Sequence, residues 1–255
     1  MSGGPVDVSA AKASPHVSSI LYIGYPGPFG GNATAETIFA QQAPAAKIIT
    51  TVYPAVFTEQ VSYFEMNLAP GPSVWPPFTS PGRTHMHYTG TPVYPFGWGL
   101  SYTQWRYELV TSPGLHDLAN LNGAIGSYLA AHPNLGGLYS PLRGYPLLNY
   151  TVRVFNMGSM DSDEVVLGFF SPPGAGTHGI PLQVLFDFHR VHVSAGASVD
   201  VFFSLQARHL TQVVSDPENK SVRVPLSSGP ARVFFGVSHE GVVATARVEH
   251  DLEFS

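Results

Sequence analysis

Apolar and polar side chains alternate along the C-terminal part of the chain. In residues 149–155, Tyr150, Val152 and Val154 alternate with polar neighbours, which places the three on one face of an extended strand. Six further runs follow, separated by turn sequences: 164–171, 182–193, 199–205, 221–224, 231–237 and 243–254. Seven short strands at this spacing predict an all-β domain over residues 147–255 with the architecture of an immunoglobulin-like β-sandwich.

Residues 1–75 show a different pattern, in which helix and strand signals alternate. Short helices are predicted at residues 9–13 and 32–42, and buried parallel strands at the apolar runs 17–24 and 47–53. Strand, helix and strand in this order form a right-handed crossover unit. Because one strand pair with one helix cannot bury its own apolar faces, we expect this region to be a fragment of a larger α/β layer that does not fold alone.

Residues 76–146 connect the two parts and are rich in aromatic residues. The whole chain has 26 Gly and 23 Pro among 255 residues, a content that favours turns and extended segments over long helices. We therefore expect an extended wrap and linker here, with one short helix near residues 118–131. Within it, residues 92–103 should be ordered, with Phe96 and Leu100 buried against the neighbouring domains.

Charge and composition exclude several classes of function. The formal net charge is −5 and the few Lys residues lie far apart, so neither nucleic acid nor an anionic membrane is an expected partner. The absence of Cys excludes disulfides, thiolate catalysis and Cys-ligated zinc. No apolar run reaches the ~18 residues needed to span a bilayer. The first residues lack the basic and apolar regions of a signal peptide.

Three short motifs resemble sites without meeting their requirements. Residues 174–179 match G-x-G-x-x-G, but a strand rather than a helix is predicted to follow, which favours a hairpin loop over a dinucleotide site. Residues 236–240 lack the last Gly of a nucleophile elbow. Two closely spaced His pairs (residues 85–87 and 189–192) have no third ligand at metal-binding spacing, so we expect no metal site.

Several aromatic residues in Pro/Gly-rich surroundings suit stacking against sugar rings. The candidate substrate-binding residues are Tyr25, Trp75, Tyr88 and Trp98. Trp98 lies between two Gly and is the better candidate for a ring that faces a sugar cleft. The alternative is that such rings anchor an extended segment on its neighbouring domains, and the residues alone leave both open.

Three Asn-x-Ser/Thr sequons indicate a secretory origin. They lie at Asn32, Asn149 and Asn219, and each is a potential acceptor for N-linked glycan. We therefore expect a secreted, glycosylated protein, with coincidence as the alternative.

Several segments resemble glycoside hydrolase family 3, most closely its β-xylosidase and α-arabinofuranosidase branch. They are residues 2–9 (SGGPVDVS), 20–27 (ILYIGYPG), 30–31 (GG), 81–84 (PGRT), 88–90 (YTG) and 92–103 (PVYPFGWGLSYT). The last is long and is rarely found elsewhere. Pro181, Leu182 and Leu185, together with residues 188–191 and 195–196, resemble the fibronectin type III-like domain that ends many such enzymes.

The resemblance implies that only the C-terminal portion of such an enzyme is present: the end of the α/β sandwich domain, the linker and the fibronectin-like domain. Family members also have a (β/α)8 barrel that carries the nucleophilic Asp, and a Glu acid/base upstream of the motif matched at Met1. Retaining hydrolysis needs both carboxyl groups, about 5–5.5 Å apart. Neither family position has a counterpart in this sequence, so the resemblance implies no catalytic residue here, and no cofactor.

The sequence therefore predicts the C-terminal part of a β-xylosidase-like glycosidase that is inactive by itself. Its substrates would be xylo- or arabino-oligosaccharides. Two alternatives stay open: a non-catalytic carbohydrate-binding or accessory module, and an interaction domain that docks on a separately encoded catalytic chain.

Overall fold

The computed structural model describes residues 6–73, 77–113, 123–127, 130–131, 148–215, 221–238 and 247–254. Its helices are short: α1 (Ser9–Ala13), α2 (Gly30–Ile38), α3 (Phe57–Gln60), α4 (Thr84–His87), helical residues at 123–127 and a 3-10 turn at Ala207–Leu210. The strands are β1 (Gly71–Pro72), β2 (Thr79–Ser80), β3 (Trp105–Thr111), β4 (Leu148–Asn156), β5 (Ser162–Ser171), β6 (Val184–Val193), β7 (Ser198–Leu205), β8 (Thr211–Ser215), β9 (Ser221–Pro225), β10 (Gly229–Phe235) and β11 (Val248–Phe254). Within these ranges, no helix has the length and apolar character required to cross a bilayer.

Two antiparallel sheets form the β-sandwich that the alternating pattern predicts. One sheet has the strand order β11-β10-β5-β6, and the other has the order β3-β4-β7. Two separate hairpins, β1–β2 and β8–β9, lie outside these sheets. The predicted all-β fold of the C-terminal region is confirmed.

The core lies between the two sheets and contains the residues that the alternation places on one face. Tyr150, Val152 and Val154 of β4 are buried, and they pack in one cluster with Val166 of β5 and Val233 of β10. Each fully buried side chain of this size contributes about 1.5–3 kcal/mol relative to an exposed one. Burial of these side chains is therefore the main source of stability in the sandwich.

Strand β5 is buried on both faces. Leu167 and Phe169 point away from the sandwich core and pack with Phe234 in a second, smaller cluster, against which Phe96 is packed. A sheet covered on both sides needs apolar side chains at successive positions rather than at alternate ones, which explains the continuous apolar run at residues 165–170.

The β-sandwich begins within the region that the sequence assigns to the linker. Strand β3 pairs with β4, with Tyr107 opposite Val154, and its Tyr107 ring is buried in the core. Strand β8 is also absent from the predicted strands. The alternation of Trp105, Tyr107 and Leu109 with polar residues in β3 is a strand signal that the sequence analysis missed, whereas β8 (TQVVS) shows no alternation and gives a weak signal.

The N-terminal region differs from the predicted parallel pair of strands. Helix α1 lies where predicted, and α2 ends at Ile38, four residues early, where Ala40 adopts a left-handed conformation with φ of 54°. Residues 17–24 are extended but pair with no described strand, and most of their apolar side chains are exposed. The prediction of a buried strand there is wrong, because an apolar run becomes a strand only where another backbone satisfies its N–H and C=O groups.

Candidate functional site

Residues 81–103, which we call segment 81–103, lie between the N-terminal region and the sandwich. Residues 47–53 run antiparallel to one part of it instead of joining the predicted parallel sheet. The N–H groups of Ile48 and Val52 donate to the carbonyls of Trp98 (2.7 Å) and Tyr94 (2.9 Å), and those of Gly97 and Val93 donate back to Ile48 and Val52 (2.8 Å each). This ladder holds segment 81–103 in an extended conformation.

The other side of segment 81–103 is bonded to loops of the sandwich. The N–H of Ser238 donates to the Phe96 carbonyl (3.1 Å), and the N–H of Leu182 donates to the Met86 carbonyl (2.6 Å). The Gln183 amide nitrogen, Nε2, donates to two carbonyls, those of His85 (3.0 Å) and Ser238 (2.6 Å). These bonds join two sandwich loops to the segment through its backbone.

Phe96 anchors the segment on the outer face of β5, but its ring is half-buried rather than fully buried as predicted. Its half-buried ring stacks on the His85 imidazole (centroids 4.4 Å apart) and meets the Phe169 ring edge-on at 6.1 Å. Gly97 allows this close approach, because it has a φ of 81° and a Cβ there would lie 2.6 Å from Leu167 Cδ1. Residues 92–103 are thus ordered without a strand or helix of their own.

Leu100 does not share this burial, and its prediction is wrong. Gly99 packs closely against the backbone of Ala46 and Lys47. A Cβ at this position would lie 2.9 Å from the Ala46 carbonyl oxygen. Leu100 comes after this contact and is 56% exposed. The close packing at Gly99 takes the following side chain away from the sandwich.

A cavity of about 350 Å³ lies where segment 81–103 meets the two sandwich loops. Its apolar walls include the rings of Tyr88 and Phe96 and the prolines at 92 and 95. Polar lining is supplied by His85 and by hydroxyl or amide side chains, among them Thr51, Gln183 and Ser238. The mixture of ring faces and convergent polar groups is typical of a small-molecule site.

The two histidines of helix α4 are held neutral by their surroundings. Burial lowers the pKa of His85 to about 4, with a smaller contribution from the neighbouring His87, and burial also lowers the pKa of His87. At neutral and mildly acidic pH the His85 ring therefore carries no charge. A neutral imidazole offers one hydrogen-bond donor and one acceptor.

Of the four residues predicted to stack on sugars, the three that the structure describes are not brought together. Tyr25 is 80% exposed in the loop before α2. Tyr88 is half-buried, with its ring edge-on to those of Tyr53 (4.9 Å) and Phe57 (5.8 Å), and Trp98 lies beside Tyr94 at 5.4 Å. Trp75 lies outside the described residues. The roles of all four in substrate binding stay predictions, and of the three described residues Tyr88 lies on the cavity wall.

A buried ion pair that the sequence analysis missed ties the N-terminal region to the sandwich. Lys47 Nζ lies 2.9 and 3.0 Å from the two carboxylate oxygens of Glu164, and the Tyr107 hydroxyl donates to the same carboxylate at 2.6 Å. Burial and the adjacent carboxylate raise the pKa of Tyr107 well above its ordinary value. In the sequence, Lys47 and Glu164 are each a charged residue inside an apolar run, which was the available signal of a buried charge. A single sequence does not show that the two residues pair with each other.

The carboxylates of the N-terminal region have structural roles. Asp7 accepts from the N–H groups of Ser9 (2.8 Å) and Ala55 (2.9 Å), and with the Ser9 hydroxyl these bonds lower its pKa. Glu65 is buried and accepts from the N–H of Asn67 at 3.0 Å. Glu36 accepts from the Asn32 amide, whereas Glu59 is exposed. Asp7, Glu36 and Glu65 thus hold neighbouring backbone and side-chain groups in place.

The two His pairs do not assemble a metal centre in the described residues, where no cluster of three or more metal-binding side chains occurs. On β6, His189 lies 3.3 Å from Asp187, and His192 lies 2.8 Å from Asp163. The loop at residues 174–179 leads into β6, with Gly176 N–H donating to the Ile180 carbonyl (3.1 Å), so it has the predicted hairpin geometry.

Two of the three sequons lie on the described surface. Asn32 in α2 and Asn149 in β4 both have exposed side chains, whereas Asn219 lies outside the described residues. Accessibility is necessary for glycosylation but does not test it, so all three stay predictions.

Comparisons with known proteins agree with this architecture. Residues 1–102 match the glycosyl hydrolase family 3 C-terminal domain. An exo-1,4-β-xylosidase of Aspergillus oryzae is 37% identical over 88% of this chain and 27% of its own length. A β-D-xylosidase of Arabidopsis thaliana is 35% identical over 82% of this chain and 27% of its own length. The chain thus spans about a quarter of these relatives.

A solved structure shares the fold over nearly the whole chain. It is a family 3 exo-β-xylosidase in complex with a xylobiose aziridine activity-based probe, and it matches 99% of this chain and 30% of its own with a TM-score of 0.72 and 26% sequence identity. The chain therefore carries a glycoside hydrolase family 3 C-terminal domain and corresponds to the C-terminal portion of the β-xylosidase-like enzymes of that family.

Proposed function

We propose that the chain serves as the C-terminal part of a β-xylosidase-like glycosidase and hydrolyses no glycoside by itself. The similarity to two β-xylosidases over more than four-fifths of the chain supports the choice of enzyme class. The resemblance of the N-terminal motifs supports the absence of the reaction centre, because the family's nucleophile and acid/base would both precede the matched segments. Xylo- or arabino-oligosaccharides are the substrates that this assignment implies.

The observation that carries the proposal is the uncovered apolar surface of the N-terminal region. Tyr63, Met66, Phe29 and Phe39 are each at least three-quarters exposed, and the apolar run at residues 17–24 has no described strand partner. A patch of this kind marks a surface that another structural element covers. The natural cover is the rest of the α/β domain and the barrel, on the same polypeptide or on a separately encoded catalytic chain.

The test is complementation of hydrolysis. Purified chain, purified remainder of the Aspergillus oryzae relative lacking its own matching C-terminal portion, and their mixture are assayed with an aryl β-xyloside. We expect no turnover from the chain and a large gain in turnover from the mixture over the remainder alone. Turnover by the purified chain, or a remainder unaffected by the chain at saturating concentration, would count against the proposal.

A carbohydrate-binding accessory module is the second candidate, favoured by the 80% exposure of the Tyr25 ring. A solvent-facing aromatic ring can stack on a sugar without any catalytic group. Retention of the chain on insoluble xylan, lost in Tyr25→Ala but kept in a variant of another exposed ring such as Tyr63→Ala, would favour this function over that of an enzyme part.

We also propose that the chain is secreted and carries N-linked glycan at Asn32, Asn149 and Asn219. The exposure of the first two side chains is compatible with modification. Expression in a eukaryotic secretory host should give a protein whose mobility increases after enzymatic removal of N-glycans. An unchanged mobility would mean that the sequons are coincidental.

A further inference from the structure

The cavity at the junction of segment 81–103 and the sandwich has a neutral lining. Among the described residues, no Asp, Glu, Lys or Arg side chain lines it, and His85 is held uncharged by burial. Its polar groups are hydroxyls, one amide and one imidazole, set between the ring of Tyr88 and two prolines. Because no charge is available to pair with an ion, the chemistry favours a neutral ligand that both donates and accepts hydrogen bonds.

One buried polar group of this cavity is left without a hydrogen bond. Thr51 is 6% exposed, and its hydroxyl Oγ1 meets no described group in hydrogen-bonding geometry. A buried hydroxyl without a partner costs about 1–3 kcal/mol. A ligand hydroxyl in the cavity could satisfy it.

The walls of the cavity are fixed before any ligand arrives. Gln183 is held by its two bonds to the carbonyls of His85 and Ser238, and the backbone of Ser238 is bonded to Phe96. The apolar face of His85 is stacked on Phe96. A ligand that binds such a site causes little loss of conformational entropy in the protein.

We propose that this cavity is a binding site for a neutral polyhydroxylated ligand of the size of a mono- or disaccharide. A pyranose ring presents apolar C–H groups to the Tyr88 and proline faces and directs its hydroxyls towards Thr51, His85 and Ser238. The cavity volume of about 350 Å³ lies within the range of small-molecule sites, ~300–1,000 Å³. This inference rests on the second candidate function and locates its sugar binding at the cavity rather than at the exposed Tyr25 ring, and it requires neither a barrel nor a catalytic group.

The experiment is a titration of the full chain with xylobiose, followed by amide chemical shifts and calorimetry. Binding should shift the amides of Gly90 and Ser238, which line the cavity, and leave that of Tyr25 unchanged. Thr51→Val, which keeps the shape and removes the hydroxyl, should weaken binding about 3- to 10-fold, the effect of one lost hydrogen bond. His85→Phe keeps a ring on Phe96 while removing both polar nitrogens, and it should weaken binding by a similar or larger factor.

Two controls test whether binding is specific to the cavity and to a ligand with several hydroxyls. Tyr63→Ala alters an almost fully exposed ring that does not line the cavity and should leave the affinity unchanged, and thermal unfolding of each variant establishes that it is folded. Cyclohexanol, which has the ring but one hydroxyl, should bind at least tenfold more weakly than xylobiose. No shift at Gly90 and Ser238 in the wild-type chain, equal binding of cyclohexanol, or loss of binding only in Tyr25→Ala would overturn the proposal. Since no hydrolysis is measured, failure here is distinguishable from failure of complementation.

Discussion

The sandwich and the N-terminal region have similar apolar sequences but opposite exposures. Val152 of the sandwich is 0% exposed, whereas Tyr63 of the N-terminal region is 92% exposed. Each sandwich strand has a neighbour in register, while residues 17–24 have none among the described residues. Apolar content therefore does not by itself form a core, since burial also requires partners for the backbone.

Segment 81–103 is intermediate between the two regions. It has almost no regular secondary structure, yet its backbone is bonded to residues 47–53 on one side and to Leu182 and Ser238 on the other. Its ordered conformation therefore depends on these contacts with residues 47–53 and with the sandwich. Substitutions that remove either set of contacts test whether segment 81–103 unfolds together with the sandwich.

The largest expected effect separates fragments of the chain. Residues 104–255 retain both sheets and should unfold cooperatively, whereas residues 1–60 should show no cooperative transition, because their apolar surface lacks cover. Residues 147–255 should fold with lower stability, since they lack β3 and the buried Tyr107. Circular dichroism melts and limited proteolysis measure this, and a protease-resistant fragment from the N-terminal end would reverse the comparison.

Breaking the buried ion pair should have the next largest effect. Glu164→Ala leaves the Lys47 ammonium and the Tyr107 hydroxyl buried without their carboxylate, which should cost about 3–5 kcal/mol of unfolding free energy. The double variant Lys47→Met/Glu164→Leu removes both charges and should cost much less. Denaturant titration measures both variants, and equal losses in the two would show that packing rather than charge pairing dominates.

Removing the Phe96 ring should loosen segment 81–103 from β5. Phe96→Ala should cost about 2–4 kcal/mol, towards the lower end of core truncations because the ring is only half-buried. Leu100→Ala is the matched control, since that side chain is mostly exposed and should change stability by less than about 0.5 kcal/mol. Similar effects of the two substitutions on the denaturation midpoint would contradict the assigned anchor.

Acid should weaken the same contact through His85. Its pKa of about 4 in the folded chain lies below the ~6.5 of an unfolded chain, so the unfolded state binds the proton more tightly. The contribution of neutral His85 is complete above pH 6.5 and is lost as the pH falls towards 4, by about 2–3 kcal/mol after allowance for partial exposure.

The difference in stability between the wild type and His85→Phe isolates this effect from titration of carboxylates. Denaturant titrations at pH 7.0, 5.5 and 4.5 should show the wild type losing stability relative to the variant as the pH falls, in the window that its folded and unfolded pKa values define. A difference independent of pH would show that the His85 ring is not held neutral.

The smallest effect on stability is expected on the exposed apolar surface. Tyr63→Ser should change the unfolding free energy by no more than about 0.5 kcal/mol, because the ring is almost fully exposed. The same change should reduce self-association of the chain, which sedimentation velocity detects. A large loss of stability would mean that the Tyr63 ring is buried in solution, which would contradict its exposure in the structure.

The sandwich was predictable from sequence because its information is local. Tyr150, Val152 and Val154 fall on one face through the period of the strand itself, and their burial follows. The contact of Phe96 with β5 was predictable for a related reason, since the prolines at 92 and 95 restrict the backbone and Gly97 permits the positive φ found there. The parts that failed depend on distant partners.

Residues 17–24 and the cavity show why the rest could not be predicted. The apolar run is the same whether or not another strand pairs with it, so the sequence cannot distinguish the two outcomes. The cavity joins Thr51, His85 and Gln183, which are far apart in the chain and share no motif. Its composition becomes visible only when the hydrogen bonds between segment 81–103 and the sandwich loops are known.

The complementation assay separates a part of a glycosidase from a chain with another role. It asks whether the chain supplies the covering C-terminal part of a glycosidase, and it measures aryl β-xyloside hydrolysis by the remainder of a relative with and without the chain. This role predicts no hydrolysis by the chain, a gain on mixing, and loss of that gain when Phe29 and Phe39 on the exposed apolar surface are replaced by Asp. Hydrolysis by the purified chain, or a gain that survives these replacements, would contradict it.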